Sequence, residues 1–218
     1  MTDGYNRERE HMPHDCFESV WTPEDKERGV QLFKDVYEHL THAGTFPSIA
    51  YGTLLGCCRN ESMIPWDGDF DIYIDIIHRD KGPSLKAFED MGYGMVRHGP
   101  HNYKIFYKDG LNTGHHAGFK WPWVDVDFYR KEGGYVHFMD LSGKTYYKSK
   151  KEDVFPFEVR NFEGIKVLTP KSPEYHMDQI YPGWRTQYVS SSVNHKKPMS
   201  SVKIKKIDIP NNHEEFKG

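Results

Sequence analysis

The chain has few cysteines, no long apolar run and no dominant charge. Its 218 residues include 3 cysteines, Cys16, Cys57 and Cys58. An odd number, two of them adjacent, makes neither a disulfide framework nor a CxxC-type zinc site, and it fits a reducing compartment. Nothing in the sequence approaches the roughly 20 apolar residues that span a bilayer. The opening stretch MTDGYNREREHMPHD lacks the apolar segment of a secretory signal. The expectation is a soluble, cytoplasmic protein with no transmembrane segment. The formal net charge of −3 argues against nucleic acid as a partner, because non-specific coating takes a basic surface. A local basic pocket for a phosphate is compatible with that charge.

Aromatic residues make up 15% of the chain, enough to fill a core, and the length suits one generous domain. Residues 1–20 are polar without a period and read as a flexible arm. Thr22, Pro23 and Asp25 look like a capped helix start. A helical stripe of Val30, Phe33, Val36, Tyr37 and Leu40 follows, closed by Gly44. A short strand at 49–51, an acidic strand at 69–77 and a helix from Pro83-Ser84 to Met91 come next. Strands are expected at 93–97, 103–107 and 121–129, with a Gly/His-rich loop at 110–118 and a hairpin-like segment at 134–139. Two strands around Asn161–Gly164 precede a last helix that starts at Ser172-Pro173 and stops at Pro182-Gly183. The domain is taken as 21–189, followed by a polar, basic tail over 190–218 with Lys196, Lys197, Lys203, Lys205 and Lys206. Mixed strands and helices make the fold class α+β, a mixed sheet flanked by helices.

The informative stretch is IAYGTLLGCCRNESMIPWDGDFDIYID, Ile49–Asp75. From Phe70 the pattern alternates strictly, so Asp69 and Asp71 leave the same face of a strand. Same-face residues two apart lie roughly 6.5–7 Å apart at the backbone. Two carboxylates at that spacing can converge on one hard cation such as Mg²⁺ or Mn²⁺, which takes oxygen ligands and retains waters for substrate phosphates. A second strand, WPWVDVDFY, carries Asp125 and Asp127 in the same alternation. Gly52 and Thr53 sit where a strand feeds a helix, so free backbone N–H groups there suit a phosphate. Carboxylates from two strands, a Gly-Thr turn and Arg59 are the components of metal-assisted phosphoryl chemistry.

Other readings fit less well. Asp67, Asp69 and Asp71 fall at alternate positions, but an EF-hand needs Gly at its sixth position and Glu at its twelfth. Ile72 and His78 stand there. A solvated acidic face explains one such strand better than two. A sugar-nucleotide glycosyltransferase also places D-x-D on a metal, but the preceding Gly-Thr turn suits it less. Adjacent His115 and His116 would point apart on a strand, which disfavours zinc. Cys57 and Cys58 read as small buried side chains rather than redox groups.

YGTLLGCCR (Tyr51–Arg59) followed by IPWDGDFDI (Ile64–Ile72) resembles the signature of the LicD family, which includes bacterial phosphocholine transferases and the fukutin-related proteins. WVDVDFY is similar to that family's later acidic strand. FPFEVRNFEGIKVLTPKSPEYHMDQIYPGW resembles its closing hairpin and helix. The matches span residues 45–185 in order. The resemblance implies a nucleotidyltransferase-like fold and transfer of a phospho-alcohol, phosphocholine- or phosphoribitol-like, from a CDP-activated donor to a glycan hydroxyl with release of CMP. It makes Asp69, Asp71 and Asp125 the metal ligands and catalytic residues. Tyr51, Gly52, Thr53, Arg59, Asp67 and Asp127 become substrate-binding residues, Arg59 as a phosphate or structural partner; Asp125 is also the expected base, with Asp127 the second candidate. Gly68 departs from the family pattern, which commonly has an acid there, and the cysteine zinc motif and membrane anchor of the fukutin-related branch are missing. The alternatives are a nucleotidyltransferase that releases pyrophosphate, or an inactive carbohydrate- or nucleotide-binding module.

Overall fold

A computed structural model describes residues 17–79, 85–190, 195–196 and 205–209. The first helix, α1 (Pro23–His42), starts where Thr22 Oγ1 accepts the Asp25 N–H at 3.1 Å, with Pro23 in its first turn. Its inward stripe is Gly29, Leu32, Phe33, Val36, Tyr37 and Leu40. A two-residue strand, β1 (Ser48–Ile49), leads straight into α2 (Tyr51–Asn60). The acidic strand is β2 (Phe70–Asp75), shorter than expected because the Asp75 carboxylate accepts the Ile77 N–H and turns the chain into a 3-10 turn, Ile76–His78.

The chain continues through α3 (Leu85–Asp90), β3 (Tyr93–Arg97), β4 (Asn102–Asn112) and β5 (Lys120–Glu132). After these come β6 (Tyr135–Met139), β7 (Thr145–Lys150), α4 (Lys151–Val154), β8 (Glu158–Phe162), β9 (Ile165–Thr169) and α5 (Pro173–Ile180). The expected start of α3 at Pro83-Ser84 lies outside the described residues.

Among the described residues nine strands form one mixed sheet, in the order β3-β4-β5-β2-β1-β9-β8, with β6 and β7 continuing from the far end of β5. The pairs β2–β5 and β1–β9 are parallel and the rest antiparallel. Phe70, Ile72 and Ile74 of β2 and Val124, Val126 and Phe128 of β5 are all buried. Phe33 of α1 stacks on Phe70 with centroids 5.1 Å apart, and Phe162 meets both rings edge-on. The alternation therefore sends one set of side chains into the α1 core. It sends Asp71, Asp125 and their partners to the other face.

Two segments are more ordered than their polarity suggests. Phe17 packs edge-on against Trp66 at 5.2 Å, and the Val20 N–H donates to Pro65 O at 2.9 Å, so the arm's last residues join the domain. Residues 1–16 lie outside the described residues. In the stretch expected as a solvated tail, β11 (Lys205–Asp208) pairs antiparallel with β10 (Gln187–Ser190). The reason is local: Ile209 packs on the main core, and four paired residues satisfy backbone that would otherwise face water. Lys197 and Lys203 lie outside the described residues.

Candidate active site

Strand register assembles the site. In the parallel pair β2–β5, Asp71 stands opposite Asp125 and Tyr73 opposite Asp127. In the antiparallel pair β4–β5, Lys104 stands opposite Asp125 and Asn102 opposite Asp127. Two rows thus cross three neighbouring strands, Lys104–Asp125–Asp71 and Asn102–Asp127–Tyr73. Asp69, just ahead of β2, completes the group: ligand oxygens of Asp69, Asp71 and Asp125 all lie within 4.8 Å of one another.

The donors around these acids are unequal. Asp125 is buried and accepts from Lys104 Nζ at 2.7 and 2.8 Å, from Trp123 Nε1 at 2.9 Å and from Asn102 Nδ2 at 2.9 Å. The same Asn102 amide donates to Asp127 at 2.9 Å. Burial disfavours the Lys104 charge, but Asp125 and Asp69 outweigh it, and its pKa is raised. Asp71 is less compensated: burial first, then Asp69, Asp125, Asp67 and Asp127, drive its carboxyl well above the usual range. Burial and then Asp125 push Asp127 up to about 8. Asp69 is also raised, by burial foremost and by Asp125, against the opposing pull of His195 and Lys104. Crowded carboxylates held apart from water are under-compensated in charge. An all-oxygen donor set with a surplus of negative charge fits a hard divalent cation.

The N-terminus of α2 adjoins this cluster through Thr53, which bonds Asp71, and through Gly52, which lies against Asp67. Ala50 caps it without a side-chain bond, and its first internal bond runs from Leu54 N to Ala50 O at 2.8 Å. The N–H groups of Tyr51, Gly52 and Thr53 therefore precede the helical ladder, as the sequence suggests. Tyr51 adopts φ +41°, a backbone region that L side chains rarely occupy. A Cβ at position 52 would run into the Asp67 carboxylate, so only glycine lets α2 and Asp67 approach this closely. The Thr53 hydroxyl is not free for a substrate alone, because its Oγ1 accepts the Asp71 N–H at 2.8 Å and ties α2 to β2. Asp67 is also held, its backbone oxygen accepting from Trp21 Nε1 at 2.6 Å.

Arg59 stands in the last turn of α2. Its Nη2 donates to the carbonyls of Trp184 at 2.6 Å and Gln187 at 2.7 Å, and its guanidinium lies over the Tyr188 ring at 5.1 Å. It clamps the chain after α5. Its buried Nε and Nη1 have no hydrogen-bond partner among the described residues.

Beside Gly52 and Asp67 opens a cavity of about 360 Å³. Trp66, Tyr146, Ile180, Tyr181 and Pro182 give it largely apolar walls, and Ser190 and Lys206 contribute polar groups. The Gly/His-rich segment 110–118 is not among its lining residues; there His115 packs on Phe119 at 4.3 Å instead. His115 and His116 do not point apart, because this segment is not a strand; their rings stack at 4.3 Å. Burial pushes the thiol of Cys57 up to about 11 and that of Cys58 to about 12, which suits packing rather than reactivity.

Four residues at the site escape the sequence reading: Asn102, Lys104, Trp123 and His195. Alternation along β4 hints that Asn102 and Lys104 share a face, but only the register puts them against Asp125.

The family model described as LicD/FKTN/FKRP, nucleotidyltransferase domain, matches residues 48–172. An uncharacterized protein of Rickettsia prowazekii (strain Madrid E) is 28% identical over 160 residues, covering 71% of this chain and 54% of the relative. An uncharacterized protein of Rickettsia typhi (strain ATCC VR-144 / Wilmington) is 29% identical over 160 residues, covering 71% of this chain and 45% of the relative. The chain thus spans about half the length of the curated relatives it matches. Among solved structures, the lincosamide antibiotic adenylyltransferase LnuA with lincomycin bound is similar with TM-score 0.43 and 16% identity, over 75% of this chain and 87% of that one. Among the described residues, no helix is long and apolar enough to cross a membrane.

Proposed function

This chain belongs to the LicD/FKTN/FKRP family of nucleotidyltransferase domains, and on that footing we propose that it is a metal-dependent phosphotransferase. It moves a phospho-alcohol group, phosphocholine- or phosphoribitol-like, from a CDP-activated donor to a glycan hydroxyl. The observation that carries the reading is the convergence of Asp69, just ahead of β2, with Asp71 and Asp125 of two parallel strands, near a helix N-terminus without a side-chain cap and a cavity with aromatic walls.

Asp69, Asp71 and Asp125 would hold a divalent cation, Mg²⁺ or Mn²⁺. Once bound, the cation neutralises diphosphate oxygens and the charge that grows on the departing CMP. The backbone N–H groups of Tyr51 and Gly52 receive phosphate oxygens at the helix N-terminus. Trp66, Tyr146 and Tyr181 line a surface suited to a sugar or base ring. The acceptor oxygen forms a bond to the phosphorus that bears the alcohol, the bridging P–O bond to CMP breaks, and the hydroxyl proton passes to a carboxylate of the cluster. Asp125, first expected as the base, accepts from Lys104, Trp123 and Asn102. Those contacts fix its carboxylate beside Asp69 and Asp71, and its role in this reading is to hold the cation. Asp127, pushed up to about 8, keeps more of its proton affinity near neutral pH.

The test is to incubate the protein with CDP-linked alcohols, Mg²⁺ and candidate glycans and to follow the nucleotide by mass spectrometry. The reading predicts free CMP and a phospho-alcohol on the glycan. Pyrophosphate release from CTP would instead identify transfer of the nucleotidyl group.

A further inference from the structure

We propose that His195, with Asp67 and Asp69, forms a second cation site that takes a transition-metal ion through an imidazole nitrogen. A ring nitrogen of His195 and carboxylate oxygens of Asp67 and Asp69 all lie within 4.8 Å of one another. This donor set differs from the triad of Asp69, Asp71 and Asp125 in two of its three members, and Asp69 is common to both. One carboxylate facing two donor sets can bridge two ions, with an oxygen to each. The site concerns what the acids bind and holds whatever group the enzyme transfers.

His195 is seated by contacts from several elements. Its Nε2 lies 3.7 Å from Asp69 Oδ2, and its ring meets Trp123 of β5 edge-on at 5.0 Å. Its Nδ1 is buried without a hydrogen-bond partner among the described residues. The next residue, Lys196, pairs with Asp25 of α1 at 2.7 Å and lies over the Trp121 ring at 4.2 Å. A surface histidine that merely brushed the acids would not need this support from its neighbour and from Trp123.

Gly68 is the second, independent observation. It lies between Asp67 and Asp69, and a Cβ there would collide with the His195 imidazole. Its φ is not positive, so the backbone does not demand glycine. What requires glycine is the space taken by the ring. The absence of a side chain at position 68 and the presence of an imidazole are thus one feature: this chain has an imidazole nitrogen close to where an acid at 68 would stand.

The chemistry follows from the donor types. The triad offers oxygen only and suits Mg²⁺ or Mn²⁺. A site with an imidazole favours Mn²⁺, and more strongly Zn²⁺, over Mg²⁺, in line with the preference of nitrogen ligands for first-row transition ions.

The probe is Mn²⁺ alone, titrated into the full chain with no nucleotide and read by pulsed electron paramagnetic resonance. The expected result is a ¹⁴N coupling from directly bound nitrogen. It should disappear in His195→Ala. It should also disappear in Gly68→Ala, which keeps every ligand but displaces the ring. Asp71→Asn should weaken the triad site and leave the ¹⁴N signal in place. Zn²⁺ should displace the nitrogen-coupled Mn²⁺ at least tenfold more effectively than Mg²⁺ does. Mn²⁺ bound without ¹⁴N coupling in the wild type would mean that His195 only pairs with Asp69, and would overturn the proposal. So would coupling that survives His195→Ala, since it would come from another of the 13 histidines. Because no donor is present, loss of this site and failure of the transfer reaction are read separately.

Discussion

Asp125 and Asp71 face each other across one strand pair, yet their surroundings are opposite. Asp125 accepts from the Lys104 ammonium and two neutral N–H groups, whereas Asp71 is surrounded by other acids. Single substitutions at Asp71 and at Lys104, the partner of Asp125, should therefore affect stability differently. In metal-free buffer Asp71→Asn relieves repulsion and should leave the melting temperature unchanged or higher, by about 2–4 °C per kcal/mol relieved in a chain of this size. Lys104→Met strands a buried carboxylate and should cost about 3–5 kcal/mol, part of it recovered by saturating Mg²⁺, which re-pairs Asp125. Scanning calorimetry with and without Mg²⁺ checks both. A Lys104→Met protein as stable as wild type without metal would remove the lysine from the site's charge balance. Asp69 and Asp71 were readable from the sequence because alternation is a local signal. Lys104 and Asn102 were not, because a lysine and an asparagine in a half-buried strand look the same whether they face water or an acid.

Between elements, α2 does more than offer its N-terminus. Thr53 ties it to β2, and Arg59 at its other end grips the carbonyls of Trp184 and Gln187. Arg59→Met removes charged donors from two carbonyls and should cost about 2–3 kcal/mol. The loss should appear in urea unfolding and as faster amide exchange in β10. If Arg59 instead served a phosphate, the variant would keep its stability and lose only nucleotide affinity. A motif match alone does not separate these roles, since a family signature marks where an arginine stands and not what its guanidinium touches.

α5 carries a second test. His176 is fully buried beside Phe138 and Tyr147, and burial lowers its pKa from 6.5 to about 4. The unfolded chain then binds the proton more readily than the folded one. Its contribution is complete above pH 6.5 and is lost as pH falls toward 4. A full shift of this size corresponds to roughly 3 kcal/mol. His176→Phe should flatten the stability profile between pH 6.5 and 4 relative to wild type, as measured by chemical denaturation at each pH. Identical profiles would mean that His176 is not held neutral by the core.

At the scale of the molecule, the order of motifs along the chain was visible before the architecture, and the helical stripe of α1 and the paired acidic strands follow from period alone. The parallel register of β2 and β5 was not visible, because it depends on pairing across more than fifty intervening positions. His195 was hidden for a related reason: it belongs to a polar stretch whose composition gives no sign that it folds back over Gly68. Arm and tail residues that pack, Phe17 and Ile209, are single apolar side chains in polar company, too few to produce a periodic signal.

The account rests on one linkage, between the acidic triad and a nucleotide diphosphate. Isothermal titration of CDP into the wild-type protein and Asp71→Asn, each with and without Mg²⁺, measures it directly. The account predicts binding that requires Mg²⁺ in the wild type and falls by at least tenfold in Asp71→Asn. CDP binding of equal affinity without Mg²⁺, or unchanged by the substitution, would contradict it.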